Sequence, residues 1–227
     1  MPFEKMPGLP KSLKSPEESP PSSLKGKHKA ARDFEKEMEK AGRTIVGRGT
    51  ESVVEVHPHR ENVVAAHLVN QTESTGEMRK IYFTHRVLHT LFPNYFPAIH
   101  AAFERTEEKR GGTIRSRVDV KRDKHGTLGR WLSPKSFRRV EDELQSMGIS
   151  AAFDELSTKN FGRAKDGYEQ YLDVAPNLAK SLIAQKDRVI KHMRENGYVE
   201  GDITKVSNSI DRLALLQHSM PDRSVDK

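Results

Sequence analysis

Phe153-Asp154-Glu155-Leu156-Ser157-Thr158-Lys159-Asn160 decides how this chain is read, together with Asp173, which lies thirteen residues past Asn160. Between them, Phe161 to Arg163 and Tyr168 to Leu172 flank Lys165-Asp166-Gly167. Two short runs around an Asp-Gly turn signal a β-hairpin, because Gly adopts the required left-handed backbone at little steric cost. A hairpin there brings Asn160 and Asp173 to one end. A hairpin with ordinary polar ends is the alternative.

Working outward, the preceding segment predicts a helix: Ser133 as N-cap, Pro134 at the first position, Phe137, Val140, Leu144 and Met147 on one face, and Gly148 as the stop. After the hairpin, the spacing predicts helices over Asn177 to Arg194 and Thr204 to His218, with Asn196-Gly197 between them. Towards the N-terminus a short helix spans Lys29 to Ala41, with Ala31, Phe34 and Met38 on one side. Strand patterns follow at Thr44 to Val46, Val53 to Val56 and Asn62 to Val69, an antiparallel meander. Gly76 to Leu91 carries Met78, Ile81, Tyr82, His85 and Leu88 at helical spacing. Strands Ala98 to Phe103 and Thr113 to Val120 come next, joined by a charged turn ending in Gly111-Gly112. The order is βββαββ, then a basic linker over 121–130, then mostly helix.

Gly47-Arg48-Gly49-Thr50-Glu51-Ser52-Val53-Val54 places small residues between two strands, where backbone N–H groups can close over phosphate oxygens. This stretch resembles the glycine-rich loop of protein kinases, G-x-G-x-x-G-x-V, with Ser52 in place of the third glycine. Residues 153–160 have the frame of the kinase catalytic loop, H-R-D-L-x-x-x-N. The resemblance covers roughly Arg43 to Ala175. It implies an α+β, protein-kinase-like fold: a small antiparallel β lobe with one helix (31–120) and an abbreviated helical lobe (131–218). It also implies Mg-ATP in the cleft, with Gly47, Gly49 and Ser52 over the phosphates, Asn160 and Asp173 as magnesium ligands, and Glu155 or Asp154 orienting an acceptor hydroxyl.

The departures bear on activity. Val64-Ala65-Ala66 is followed by His67 where the family has its lysine, and an imidazole, whose usual value is about 6.5, gives no constant positive charge. Glu77 or Thr84 falls where the family's helix glutamate would stand, so that ion pair is lost. Glu155 replaces an aspartate, and near-attack geometry tolerates about 1 Å of error poorly. After Asp173 the chain reads Val174-Ala175 rather than Phe-Gly, and no A-P-E sequence follows. A pseudokinase and an active phosphotransferase are both open at this point.

The 227 residues hold no cysteine, which excludes a disulfide framework, a thiolate metal site and a cysteine nucleophile. No apolar run approaches the ~20 residues that cross a bilayer, so the expectation is a cytoplasmic protein with no membrane partner. The net charge is +7, and the mean hydropathy of −0.75 and pI of about 9.5 favour anionic partners. Residues 1–30 hold six of the twelve prolines and six lysines, the signature of a disordered basic tail. They carry +3, leaving +4 on the rest, which weakens the case for nucleic acid. Residues 219–227 read as a flexible C-terminus.

The rival class is a small basic adaptor that binds nucleic acid or an acidic protein through the tail and through Lys109, Arg110, Arg115, Arg117, Lys121, Arg122 and Lys124. Solvated charges of an edge strand are the plainer account of that stretch. His85 and His89, four apart on a helix, lack a third ligand for zinc, and Trp131 beside a helix start reads as a packing anchor.

Overall fold

The computed structural model describes residues 23–48, 52–69, 76–106, 110–119, 134–150, 161–163, 168–172 and 178–218. Helix α1 (Leu24–Lys40) starts where the Ser23 hydroxyl accepts the Gly26 N–H at 3.1 Å. That side-chain cap satisfies one of the four orphan donors of the first turn. The helix begins five residues before the apolar spacing indicates, because its first turns are basic and rest on the cap rather than on burial. Ala31, Phe34 and Met38 are its buried stripe, so the last residues of the expected tail are helical.

Strands β1 (Ile45–Arg48), β2 (Ser52–His57) and β3 (Arg60–Leu68) form the expected antiparallel meander. Helix α2 (Glu77–Leu91) then leads to β4 (Ile99–Phe103), and β5 (Gly112–Ser116) returns between β3 and β4. The sheet order is therefore β1-β2-β3-β5-β4, with every neighbouring pair antiparallel. This makes β5 an interior strand. Gly112 is the residue that lets it enter: a Cβ there would sit 2.3 Å from the Ala66 carbonyl oxygen and 2.6 Å from the Phe103 ring. Backbone cannot yield to that contact, so only glycine fits.

Residues directly opposite in an antiparallel pair share a face. Val53 faces His67 and Glu55 faces Ala65, while Val54 faces Ala66 and Val56 faces Val64. The first face lies under α1, where Phe34 and Met38 meet Val53, Val69 and Ile45. The second face bears Val54, Val56 and Leu68, all half-buried.

The larger core is helical. It joins α2 to α3 (Pro134–Ser146), α4 (Leu178–Ala184), α5 (Lys186–Glu195) and α6 (Glu200–His218), with Tyr171 from the two-stranded ribbon β6 (Phe161–Arg163) and β7 (Glu169–Tyr171). Phe137, Val140, Leu144 and Met147 are buried as their spacing predicts. Gly148 ends that run at φ +78°, and a Cβ there would meet the Arg188 guanidinium at 2.7 Å and the Gln185 amide oxygen at 3.0 Å. The single helix expected over Asn177 to Arg194 is broken at Gln185, beside this glycine. No Gly or Pro marks the break in sequence. Ser133 lies outside the described residues, as do residues 1–22, 120–133 and 219–227, which hold the basic linker and most of the tail. No helix among the described residues is long and apolar enough to cross a membrane.

Phe96, fully buried, packs its ring against those of His85, Phe92, Phe137 and Tyr171. Truncation to alanine removes transfer energy and leaves a cavity, so Phe96→Ala is expected to destabilise by about 3–5 kcal/mol. Urea unfolding followed by circular dichroism checks this. A loss below about 1 kcal/mol would show that the core collapses around the gap.

Candidate functional site

Gly47 lies in β1 opposite Val54, and Ser52 opens β2 opposite Leu68. Gly49 lies outside the described residues. A Cβ on Gly47 would make only ordinary contact with Val54, 3.8 Å away, so sterics alone do not require glycine there.

His67 is turned to the α1 face. Its Nε2 is hydrogen-bonded to Glu55 Oε1 at 2.9 Å, and its ring meets those of Phe34 and Phe103 edge-on at 5.9 and 5.5 Å. Glu55 is only 2% exposed and also faces Arg43 Nη1 at 3.5 Å. A buried carboxylate needs such partners, because desolvation without them costs several kcal/mol. The face shared by Val54 and Ala66 reaches, two residues on, not His67 but Leu68. Neither position supplies the lysine that the resemblance calls for. Of the residues considered for the helix glutamate, Glu77 sits in the first turn of α2 and Thr84 is buried in its middle. Glu55, the partner of His67, has a sequence signal only in retrospect: a carboxylate in an otherwise apolar strand run.

Below the opposite face, three consecutive residues hold the β6–β7 ribbon in place. Gln170 Nε2 donates to the Pro93 carbonyl at 3.1 Å, Tyr171 N–H to the Tyr95 carbonyl at 2.7 Å, and Arg115 Nη1 to the Leu172 carbonyl at 2.6 Å. Phe161 pairs with Tyr171, so the chain enters and leaves the ribbon side by side. This is the expected hairpin. Asp154, Glu155, Asn160 and Asp173 themselves lie outside the described residues. Among the described residues, no group of three or more His, Asp or Glu is placed to hold a metal ion.

Arg115 is not a solvated edge charge, because β5 is interior and its side chain is half-buried. Arg110 lies over the Phe34 ring at 4.5 Å and donates to the Val69 carbonyl at 2.8 Å, and burial lowers its pKa. Arg117 contacts the Glu61 carbonyl and Asp119. Lys109, Lys121, Arg122 and Lys124 lie outside the described residues.

His85 and His89 do not form a metal pair. His89 Nδ1 is hydrogen-bonded to the Phe96 carbonyl at 2.8 Å. His85 is 1% exposed, and neither of its ring nitrogens has a hydrogen-bond partner. Burial, with Arg115 and His89 nearby, pushes its pKa down to about 3. At the turn between β2 and β3, burial, His59 and Arg60 lower the pKa of His57, while burial, Arg60 and His89 lower that of His100.

No protein-family model matches the chain, and no curated protein matches its sequence.

The buried imidazole makes stability depend on pH in a defined direction. The unfolded state binds a proton below the ordinary value of 6.5, while the folded state resists until about 3. The stability of the neutral form is thus fully present above pH 6.5 and is lost as pH falls towards 3. Between pH 7 and 5 this one group removes on the order of 2 kcal/mol. His85→Leu is expected to lose less stability over that interval and to be no less stable at pH 7, since it buries no unpaired polar atom. Thermal midpoints of both proteins at the two pH values check this. Equal losses would assign the acid sensitivity elsewhere.

Proposed function

We propose that this chain is a divergent protein-kinase-like domain that takes ATP with magnesium in the groove beneath β1–β3, and that it works as a pseudokinase, with phosphoryl transfer weak or absent. The observation that carries this reading is the order β1–β2–β3–α2–β4–β5 assembled in one sheet, with the β6–β7 ribbon tied to its inner strand directly ahead of Asp173. That is the element order implied by the sequence motifs. The half-buried apolar face of Val54, Val56 and Leu68 offers a surface on which a purine ring can lie. Asn160 and Asp173 are assigned to the metal, because amide and carboxylate oxygens suit a hard cation. Glu155 or Asp154 is assigned to the acceptor hydroxyl.

The pseudokinase half of the proposal rests on charge. His67 is engaged by Glu55 on the far face, Leu68 is apolar, and the buried residues of α2 are uncharged apart from the titratable His85. The constant cation and its carboxylate partner are both missing from their expected places. The adaptor reading draws less support, since Arg110, Arg115 and Arg117 are tied to backbone carbonyls.

Thermal shift with ATP, with and without Mg²⁺, tests the reading. At one hundred times the dissociation constant, ligand should stabilise by about 2.7 kcal/mol, and Asp173→Ala should abolish the metal-dependent part. No shift under any condition would remove ATP from the account. Binding that weakens steeply with salt and ignores Mg²⁺ would favour the adaptor.

The faces of β3 give a second test. Leu68→Lys places an ammonium on the Val54 and Ala66 face and is expected to tighten Mg-ATP by about tenfold, the effect of one well-placed charge. His67→Lys, whose ammonium is directed to Glu55 on the far face, is expected to leave affinity unchanged. Titration of both variants by fluorescent nucleotide checks this; tightening by His67→Lys alone would reverse the assignment of faces.

A further inference from the structure

We propose that the outward ridge of α1 is a docking surface for an acidic helix of a partner protein. Lys25, Lys29, Arg32, Lys36 and Lys40 follow one another at intervals of three or four residues, which sets them in a single row along the helix. All five are exposed, and the row lies opposite the buried stripe of Ala31, Phe34 and Met38. At about 1.5 Å per residue the row is about 22 Å long. This surface belongs to α1 alone and stands whether or not the groove takes nucleotide.

The row works against the helix that carries it. Every neighbouring pair in it is like-charged, and like charges at this spacing destabilise a helix. Cations near the N-terminus also oppose the helix dipole. No acid stands in the first turn of α1, whereas α2 opens with Glu77, α5 with Asp187, and α6 with Glu200 and Asp202. Glu35, three residues from Arg32, is turned to the sheet, with its carboxylate 3.2 Å from Arg48 Nε in β1. Among the described residues, none of the five cations forms an ion pair.

Charge complementarity names the partner. The row is one residue wide and carboxylates border it, Asp33 and Glu37 on one side, Glu35 and Glu39 on the other. A broad anionic surface, such as a bilayer or a nucleic-acid groove, would press its phosphates on those carboxylates as well as on the row. The apolar stripe that a bilayer would take up is already buried against the sheet. An acidic helix meets neither obstacle. Its Asp or Glu, spaced three and four apart, match the row step for step, and its flanks can carry cations to meet the bordering carboxylates.

The test uses the full chain and a fluorescein-labelled helical peptide with Glu at positions i, i+4, i+7, i+11 and i+15, followed by fluorescence anisotropy. Wild type is expected to bind this peptide about tenfold more tightly than one of the same composition whose Glu are spread around the helix. Lys25→Glu/Arg32→Glu is expected to weaken binding about tenfold and to raise the thermal midpoint, because it turns repulsive neighbours into attractive ones. Lys180→Glu/Arg212→Glu, an equal change of charge at exposed positions of α4 and α6, should bind as wild type. Equal binding of the two peptides, equal weakening by the Lys180/Arg212 pair, or no binding would overturn the proposal. A fall of midpoint together with binding would mark the row as structural and overturn it as well. Tighter capture by a short DNA duplex or by phosphatidylserine vesicles, lost in Lys25→Glu/Arg32→Glu, would give the row to phosphates instead. If that variant does not fold, Lys29→Gln/Lys36→Gln decides: weaker peptide binding supports the docking role, and unchanged binding overturns it.

Discussion

Phe92 to Phe96, the short segment between α2 and β4, ties the sheet to the helical core. The Phe96 ring packs among His85, Phe92, Phe137 and Tyr171, so one residue touches helix α2, helix α3 and the ribbon. Its carbonyl is capped by His89, and the carbonyls of Pro93 and Tyr95 receive β7. Burial of an aromatic ring supplies affinity without direction, whereas hydrogen bonds to carbonyls in a fixed backbone supply direction. Both are needed here. The ribbon is only three residues a side and has no core of its own, so its placement comes from this segment and from Arg115.

The sheet is treated differently on its two faces. Under α1 the apolar contact is small, with Phe34 and Met38 against Val53 and Val69. Beside it lies a polar cluster: Glu55 between His67 and Arg43, Arg48 against Glu35, and Arg110 across Phe34. Replacing such pairs with apolar residues often costs nothing, so their contribution is to the register of α1 more than to its affinity. A helix held by few apolar residues could slide along a flat face, and the Glu35–Arg48 pair and the Arg110 guanidinium over the Phe34 ring oppose sliding. Among the described residues, no helix packs over Val54, Val56 and Leu68 on the opposite face. On the proposed reading, that half-open face is the one that would take the nucleotide.

Much of this was legible in the sequence, and the parts that were not share a cause. Strands β1–β3, helices α2 and α3 and the β6–β7 hairpin follow from periodicity and turn residues, which are local. The insertion of β5 between β3 and β4 is not local, and so Arg115 reads as an edge charge. The face on which His67 lies also escaped. Strand periodicity fixes which residues alternate, but the side on which a run meets its neighbours depends on register, and a shift of one residue exchanges the faces. Asp154, Glu155, Asn160 and Asp173 rest on motif spacing alone and lie outside the described residues, which stop at Phe161, next to Asn160, and at Leu172, next to Asp173. The break at Gln185 carries no Gly or Pro, and it becomes intelligible only when Gly148 is found against it.

Charge balance gives the proposed groove its character. A triphosphate would bring several negative charges to the face of Val54, Ala66, Leu68 and Thr113, where the described sheet offers the Arg115 guanidinium, which is bonded to a backbone carbonyl. Protein kinases balance that charge with both a protein cation and metal ions. With Leu68 apolar and His67 bound to Glu55 on the far face, the larger share would, on the proposed reading, fall to the metal the nucleotide carries. Nucleotide and metal would then bind as one unit, and free nucleotide only poorly. The same arithmetic explains why transfer would suffer more than binding. A metal can neutralise ground-state charge, but catalysis depends on preorganised donors placed where charge develops in the transition state. A groove that delegates its positive charge to a mobile ion keeps the ligand and gives up much of the acceleration.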